Sequence, residues 1–334
     1  MFLIAVIGFG YWGPNIVRNF LMHPECKVKY ICDLGDNARQ RAASQFPNID
    51  IIDDPNVIFA DNDINIVAIV TPVSTHYSLA KQALEAGKHI FLEKPMLETV
   101  EQADELIEIA KDKNLIGVVD HTFLFTGAVK KIKEIVDSGE IGDITYFDSG
   151  RVNLGLFQHD VDVIWDLAPH DLSILFHIMD DRPIAVTANG VDHLDNGLAD
   201  VAYLTLHYDS NMIANFHVNW LSPLKVRKIL IGGTKKMIVY DDMEPSEKIK
   251  IYDKGISLTE PEEIHQLLVK YRSGNMLAPN ILPTEALKLE VSEFIDQVKS
   301  NSAYSDNDLT HGRYVVEILE ASNQSLKRNQ RVYL

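Results

Sequence analysis

The chain has 334 residues, of which 46% are hydrophobic and 24% charged, as in an ordinary globular protein long enough for two domains. Its formal net charge of −17 argues against the basic surface that nucleic-acid binding requires. No apolar run approaches the ~20 residues of a membrane span, and the apolar amino terminus lacks the basic segment of a signal peptide. We therefore expect a cytoplasmic protein with neither a membrane nor a nucleic-acid partner.

The amino terminus combines a predicted strand with a glycine-rich turn. Phe2–Ile7 is a short apolar run, and Gly8–Gly13 (GFGYWG) follow it as G-x-G-x-x-G before a helical pattern. Asp33 ends the next predicted strand, about 20 residues further on, where a carboxylate can hold ribose hydroxyls. These features predict a dinucleotide site, and the carboxylate favours NAD over NADP because it repels a 2′-phosphate. The candidate cofactor-binding residues here are Gly8, Phe9, Gly10, Tyr11, Trp12, Gly13 and Asp33.

Strands and helices alternate over roughly the first 120 residues, which is typical of a doubly wound parallel sheet. The predicted strands are 2–7, 27–32, 50–52, 65–70, 88–92 and 115–119, and helices are predicted after the glycine turn and at 37–46, 55–60, 75–86 and 99–113. Later residues predict helices at 127–136, within 165–179, at 285–298 and at 311–326, a strand at 144–153, and short alternating strands between 184 and 252.

This pattern predicts an α/β protein of two domains. Residues 1–121 form a Rossmann domain, and residues 122–334 form an α+β domain with a large, mostly antiparallel, open-faced sheet. An open sheet face is typical of a homo-oligomer, so we expect a homodimer or homotetramer formed through this sheet. Residues 255–280 show little periodicity and receive no assignment. The two cysteines, Cys26 and Cys32, have no metal-ligand spacing, so no metal is expected.

Two polar segments follow predicted strands of the first domain, where loops line the ligand crevice of a doubly wound sheet. Thr71, Pro72 and His76 come after the fourth strand and are candidate cofactor-binding residues, although a plain turn with Thr75 or Ser74 as helix cap is the alternative. Glu93 and Lys94, which are also candidate cofactor-binding residues, precede Pro95 after the fifth strand. An ammonium group there can stabilise a developing alkoxide or carbonyl oxygen, although a surface lysine before a turn is equally consistent with the pattern.

A third segment, Trp165–Asp171 (WDLAPHD), opens a predicted helix in the second domain. Asp166 and His170 are four residues apart and share a face if both lie on its opening turn, a placement that Pro169 would fit. Histidine titrates near neutral pH and can accept a hydroxyl proton. The alternative is that Asp166 is the helix cap and His170 is structural.

The glycine turn, Thr71-Pro72 with His76, Glu93-Lys94-Pro95 and Asp166 with His170 occur in order, and with them the chain resembles the Gfo/Idh/MocA oxidoreductases. The resemblance implies a Rossmann domain followed by a domain with an open-faced sheet. It also implies a catalytic set, which carries over to Lys94, Asp166 and His170.

Within that family, Tyr11–Asn15, His121–Phe125 and Trp165–Asp171 are similar to the branch that oxidises the C3 hydroxyl of a nucleotide sugar such as UDP-N-acetylglucosamine. Arg151 is either the partner of a substrate phosphate or a solvated strand residue. The candidate substrate-binding residues are His121, Arg151, Asn153, Gln158, His159, Asp166 and His170.

The predicted function is hydride transfer between a sugar hydroxyl and NAD. A dehydrogenase of free polyols or monosaccharides, resembling inositol dehydrogenase, is the first alternative. A non-catalytic NAD-dependent sensor is the second, although it would have no use for Lys94, Asp166 and His170.

Overall fold

The structure, a computed structural model, describes residues 1–155, 161–253, 255–257, 270–272, 274–302 and 305–334, with the backbone alone at 255–257 and 270–272. The chain divides into two units: Met1–Thr126 with Thr284–Glu320, and Gly127–Pro283 with Ala321–Leu334. None of the described helices is long and apolar enough to cross a membrane.

The first unit contains six parallel strands in the order β3-β2-β1-β4-β5-β6. The strands are β1 (Phe2–Ile7), β2 (Cys26–Cys32), β3 (Asp50–Ile52), β4 (Ile66–Ile69), β5 (His89–Leu92) and β6 (Gly117–Val119). The helices between them are α1 (Gly13–Met22), α2 (Asp36–Gln45), α3 (Asn56–Ala60), α4 (Val73–Glu85) and α5 (Val100–Asp112), and a 3-10 turn (Thr122–Phe125) follows β6. The predicted doubly wound sheet is confirmed, and the carboxyl ends of β1, β4 and β5 lie side by side in it.

Two apolar clusters cover the two faces of this sheet. Side chains alternate along each strand, so that Ile4 and Val6 of β1 enter one cluster and Ala5 and Ile7 the other. The first cluster includes α1 through Ile16, and the second includes α4 and α5. Every residue of β4 is buried, as expected for a parallel strand with helices on both sides.

The helix α8 (Ala286–Ser300) belongs to the first unit although it lies far along the chain. Its apolar side chains Val291, Phe294 and Ile295 are buried in the same cluster as α1. The helix α9 (Leu309–Arg328) follows, and its Leu309 and Val316 enter the cluster on the other face. The two units therefore do not coincide with the predicted domains 1–121 and 122–334. Residues 284–320 belong with the amino-terminal sheet because their apolar side chains are buried against it.

The second unit is built on a nine-stranded sheet in the order β16-β13-β12-β11-β7-β10-β9-β8-β17. Its elements are α6 (Gly127–Asp137), β7 (Ile144–Leu154), α7 (Val163–Ile178), β8 (Ala185–Val191), β9 (Val201–His207), β10 (Ile213–Asn219), β11 (Leu221–Gly233), β12 (Met237–Asp241), β13 (Ile249–Tyr252), β16 (Met276–Leu277) and β17 (Val332–Tyr333), and a separate pair is formed by β14 (Gly255–Ser257) and β15 (Lys270–Arg272). Only β7 and β10 pair in parallel within the nine-stranded sheet. The predicted mostly antiparallel sheet is confirmed.

We predict that Phe294→Ala destabilises the protein by about 3–5 kcal/mol, the usual cost of truncating a core phenylalanine. Phe294 is 1% exposed, and its ring lies 5.7 Å from that of Phe91 on β5. Urea unfolding measures the change, and the exposed Asp296 on the same helix provides the control variant Asp296→Ala. Equal free energies of unfolding for the two variants would show that α8 is not part of this core.

Candidate active site

The glycine turn after β1 leaves no room for side chains at two of its three glycines. Gly8 has a φ of +100°, and a Cβ there would lie 2.2 Å from the carbonyl oxygen of Val70. A Cβ on Gly13 would lie 2.5 Å from the carbonyl oxygen of Gly8. At Gly10, by contrast, a Cβ would meet no atom within 4 Å, so this backbone faces open space. The turn therefore fits a dinucleotide, whose pyrophosphate would approach Gly10 and the amino end of α1.

The carboxylate of Asp33, at the end of β2, is oriented by two backbone groups. Its Oδ2 accepts the N–H of Phe9 at 2.7 Å, and its Oδ1 accepts the N–H of Gly35 at 2.8 Å. Since each carboxylate oxygen can accept more than one bond, both retain capacity for ribose hydroxyls. The side chain is partly exposed, so this capacity is accessible.

Two arginines of α2 donate hydrogen bonds to backbone carbonyls near Asp33 and in the glycine turn. Arg39 donates to the carbonyls of Asp33 and Leu34, both at 2.8 Å, and forms an ion pair with Asp36. Arg41 donates to the carbonyl of Phe9 at 2.7 Å. Arg39 therefore stabilises the loop between β2 and α2, and Arg41 stabilises the glycine turn.

The loop after β4 is joined to the loop after β5 by His76. This ring is fully buried, with Nε2 2.8 Å from the carbonyl oxygen of Thr71 and Nδ1 3.0 Å from that of Pro95. Carbonyl oxygens only accept, so the hydrogen bond is donated by the ring nitrogen that carries the proton. The buried position favours an indirect contribution of His76 to cofactor binding, through the loops it holds.

The helix α4 begins at Val73, with Pro72 at the cap position and no capping side chain. The hydroxyl of Thr75 lies 2.8 Å from the carbonyl oxygen of Pro72 and 2.7 Å from Oγ1 of Thr71. The alternative in which Thr75 or Ser74 caps the helix is therefore wrong. Proline supplies the fixed backbone angle at this position instead.

Glu93 and Lys94 follow β5 directly, and the bond from Lys94 to Pro95 is cis. Both residues are partly exposed, but the Oε2 atom of Glu93 is buried. Burial of the Glu93 carboxyl, reinforced by repulsion from Asp120, raises its pKa well above the usual range. This segment therefore pairs an ammonium group with a carboxyl group that resists ionisation.

His121, predicted to bind substrate, is 1% exposed, and its ring centroid lies 5.5 Å from that of His311. Burial lowers its pKa to about 3, with the charge of Lys94 acting in the same direction. The imidazole is therefore neutral at physiological pH. The contact between His121 and the substrate remains a prediction, and the burial of the ring does not favour it.

In the second unit, α7 begins three residues before Asp166. The carboxylate of Asp162 is buried and accepts the N–H groups of Ile164 and Trp165 at 2.9 and 3.1 Å, which makes Asp162 the helix cap. The placement of Pro169 in the first turn is wrong, because Pro169 lies inside the helix. The alternative role of Asp166 as the cap is also wrong, because the helix begins at Val163 and is capped by Asp162.

Asp166 and His170 lie one turn apart on α7 and are both partly exposed. The Oδ2 atom of Asp166 accepts the indole N–H of Trp220 at 2.9 Å. Trp220 is fully buried between β10 and β11, so it holds this carboxylate from a rigid part of the unit. The pair combines a group that can exchange a proton near neutral pH with an adjacent oriented acid.

Arg151, on β7, forms a buried ion pair with Asp171. Its Nε and Nη2 atoms donate to the two carboxylate oxygens at 3.0 and 2.6 Å, and the Ser149 hydroxyl donates to the same carboxylate at 2.6 Å. Burial opposes the positive charge, but the attraction of Asp171 outweighs it and raises the pKa of Arg151. The description of Arg151 as solvated is therefore wrong, since it is 2% exposed. Its pairing with a substrate phosphate stays a prediction that this geometry does not favour.

The remaining predicted substrate residues are less informative. Asn153 is partly exposed near the end of β7. Gln158 and His159 lie outside the described residues. The described residues contain no group of histidine, cysteine and acidic side chains that could hold a metal ion.

Three residues that were not among the predicted site residues form hydrogen bonds with them: Trp220, Asp171 and Asp120. Trp220 lies 54 residues from Asp166, and Asp171 lies 20 residues from Arg151. Neither of these separations along the sequence follows from helical or strand periodicity. A tryptophan or acid inside an otherwise apolar segment was the one available signal, and it does not identify a partner.

The parallel sheet, the glycine turn and the oriented Asp33 define a dinucleotide-binding protein of the Rossmann type. Residues 2–121 match the family model described as oxidoreductase family, NAD-binding Rossmann fold, and residues 129–239 match the Gfo/Idh/MocA C-terminal domain. The chain belongs to the Gfo/Idh/MocA oxidoreductase family.

Two similar curated proteins have assigned activities. A UDP-N-acetylglucosamine 3-dehydrogenase of Acidithiobacillus ferrooxidans is 29% identical over 75% of this chain and 77% of the relative. An NAD(+)-dependent scyllo-inositol 2-dehydrogenase of Bacillus subtilis is 29% identical over 68% and 70%. The solved structure of the A. ferrooxidans enzyme GnnA has a TM-score of 0.82, with 22% identity over 98% of this chain and 97% of that one, which shows the same fold.

We predict different effects for alanine at two glycines of the turn. Gly10→Ala keeps the stability of the wild type but weakens NAD binding tenfold or more, about 1.4 kcal/mol, because its methyl group occupies the open space of the turn. Gly13→Ala also lowers the melting temperature, because its Cβ would contact the Gly8 carbonyl. Calorimetric titration and thermal unfolding measure the two quantities. Undiminished NAD affinity in Gly10→Ala would contradict the cofactor position.

Proposed function

We propose that the protein is an NAD-dependent dehydrogenase that oxidises a secondary hydroxyl of a sugar. The observation that carries this proposal is the pair formed by Asp166 and His170, one turn apart, with Asp166 held by the buried indole of Trp220. A protein that only binds NAD would have no need for such a pair. This consideration disfavours the alternative of a non-catalytic sensor.

In the proposed reaction, His170 accepts the hydroxyl proton while the hydrogen on the same carbon leaves as hydride. NAD+, when bound, supplies the hydride acceptor. Lys94 donates a hydrogen bond to the reacting oxygen and stabilises its developing negative charge. Asp166 orients His170 or binds a neighbouring hydroxyl of the sugar.

The cofactor proposed is NAD rather than NADP. The carboxylate of Asp33 is oriented by Phe9 and Gly35 and would repel a 2′-phosphate. Arg39, the nearby cation, already donates to two carbonyls and pairs with Asp36.

For the substrate, we propose a nucleotide sugar oxidised at C3, such as UDP-N-acetylglucosamine. The similarity to the A. ferrooxidans enzyme supports this choice. The similarity to the inositol dehydrogenase is of the same degree, so a free polyol or monosaccharide is the second candidate. The engagement of Arg151 by Asp171 removes one argument for a nucleotide pocket.

We also propose a homodimer or homotetramer formed through the large sheet. Tyr203 on β9 is 54% exposed, and its ring stacks on that of His217 on β10 at 4.4 Å. Ile213, also on β10, is 42% exposed. Apolar and aromatic groups on one open face support association with a second copy.

Purified protein with NAD+ is expected to form NADH with UDP-N-acetylglucosamine and not with myo-inositol or free hexoses. NADH absorbance measures the reaction, and NADP+ in a parallel series tests the cofactor. Turnover with inositol or free sugars alone would favour the second candidate. NAD binding without turnover on any sugar would favour the sensor.

On the accepted substrate, Lys94→Ala and His170→Ala are each expected to lower turnover by ~10²–10⁴, the usual contribution of one positioned acid–base group. Lys113→Ala is the control, since Lys113 is an exposed lysine of the same unit as Lys94. Circular dichroism checks that the variants fold. Folded variants with normal turnover would remove Lys94 and His170 from the mechanism.

A further inference from the structure

Three carboxyl groups meet inside the first unit, near the carboxyl ends of β5 and β6. Glu93 follows β5, Asp120 follows β6, and Glu290 comes from α8. Glu290 is 0% exposed and Asp120 2%. An isolated buried carboxylate is costly unless it is paired or protonated, so the charge of this group requires an explanation.

The donors around this group are unevenly distributed. Asp120 accepts the indole N–H of Trp12 at 2.8 Å on Oδ2 and the hydroxyl of Thr122 on Oδ1. Glu290 accepts the amide of Asn307 at 3.0 Å on Oε1. The Oε2 atoms of Glu290 and Glu93 are buried and meet no donor among the described residues.

Glu93 and Glu290 both lie beside Asp120. The N–H of Asp120 donates to the carbonyl of Leu92, the neighbour of Glu93. The amide of Asn307 donates both to Glu290 and to the carbonyl of Val119, the neighbour of Asp120. Two ionised carboxylates cannot bond to each other, because each only accepts. A bond between them exists only when one of the two carries a proton. Both carboxylate oxygens of Asp120 already accept, from Trp12 and Thr122, whereas the Oε2 atoms of the two glutamates have no donor among the described residues. The protons therefore belong on the two glutamates.

The surrounding charges agree with this assignment. Lys94 is the cation that acts on Glu93, and His121 remains neutral because it is buried. His311, on α9, faces the ring of His121. Burial raises the pKa of both Glu93 and Glu290 well above the usual range, and repulsion from Asp120 adds to it. One ionised carboxylate balances one lysine, whereas three would leave a buried excess of negative charge.

We infer that Glu93 and Glu290 are protonated in the folded protein and donate to Asp120, the one ionised member of the three. These three linked carboxyl groups position Lys94 through Glu93. They are connected to the glycine turn through Trp12, which bonds to Asp120. Asp120 and Glu290 are thus positioning residues for the reaction. The link to catalysis rests on the proposed function of Lys94, but the protonation itself does not.

The first test is the infrared spectrum of the full chain at about pH 8, well above the ordinary pKa of glutamate, ~4.3. The folded wild type is expected to show the carbonyl stretch of protonated carboxylic acids, and Glu290→Gln to lose part of it. Asp296→Asn, which changes an exposed carboxyl of the same helix, is the control and retains the whole band. Absence of the band in the folded wild type overturns the inference without any variant.

The second test uses the pH dependence of stability. A carboxyl whose pKa is raised by folding binds its proton more tightly in the folded chain, so its contribution falls as pH rises from the unfolded to the folded pKa. Glu290→Gln keeps a neutral donor toward Asp120 and cannot ionise. Its melting temperature is therefore expected to fall less than that of the wild type between neutral and alkaline pH. Parallel decreases in the two proteins contradict a protonated Glu290.

The third test concerns the positioning role. Glu290→Gln is expected to retain turnover at neutral pH and to extend it to higher pH than the wild type, whereas Glu290→Ala, which removes the donor to Asp120, lowers kcat more than it changes KM. Identical pH profiles for Glu290→Gln and the wild type would contradict the positioning role. Failure of every sugar substrate would contradict the proposed function alone, because the infrared and stability tests need no substrate.

Discussion

The first unit depends on a backbone approach that only glycine permits. Gly8 lies against the Val70 carbonyl beyond β4, and Gly13 lies against the carbonyl of Gly8. Because these groups touch, β1, β4 and α1 are closer together than any side chain would allow. The same approach brings the N–H of Phe9 to Asp33 and the indole of Trp12 to Asp120. The positions of Asp33, the proposed ribose-binding acid, and of Asp120 therefore both depend on this turn.

This unit is completed by residues that come late in the chain. Glu285, just before α8, accepts from Arg18 and Asn19 of α1, and the apolar side of α8 covers the same face of the sheet as α1. The buried Glu290 lies on this helix, close to Asp120. Asn307, from the segment before α9, donates to both Glu290 and the Val119 carbonyl. A domain that ended at residue 121 would lack α8 and would leave this face of the sheet exposed.

The sequence predicted features whose signal is local. The six strands and the glycine turn follow from apolar runs and from spacing, and the structure has them at nearly the predicted residues. The start of α7 was misplaced because Asp162 and Asp166 are both plausible caps. Only the burial of Val163 and Ile164 decides between them. The partners of Arg151 and Asp166 lie on other elements, so their identity depends on packing that local periodicity does not encode.

The two units bury acids in two different ways. In the second, Asp171 is balanced by the guanidinium of Arg151, which supplies two bonds and a full charge. In the first, the donor to Glu290 is the amide of Asn307 rather than a cation, and Lys94 acts on Glu93. A buried acid without its own cation resists ionisation, since desolvation penalises the charged form. The guanidinium of the second unit keeps its charge, because the pKa of Arg151 is raised, whereas the carboxyl groups of the first unit would ionise at alkaline pH, next to the proposed catalytic Lys94.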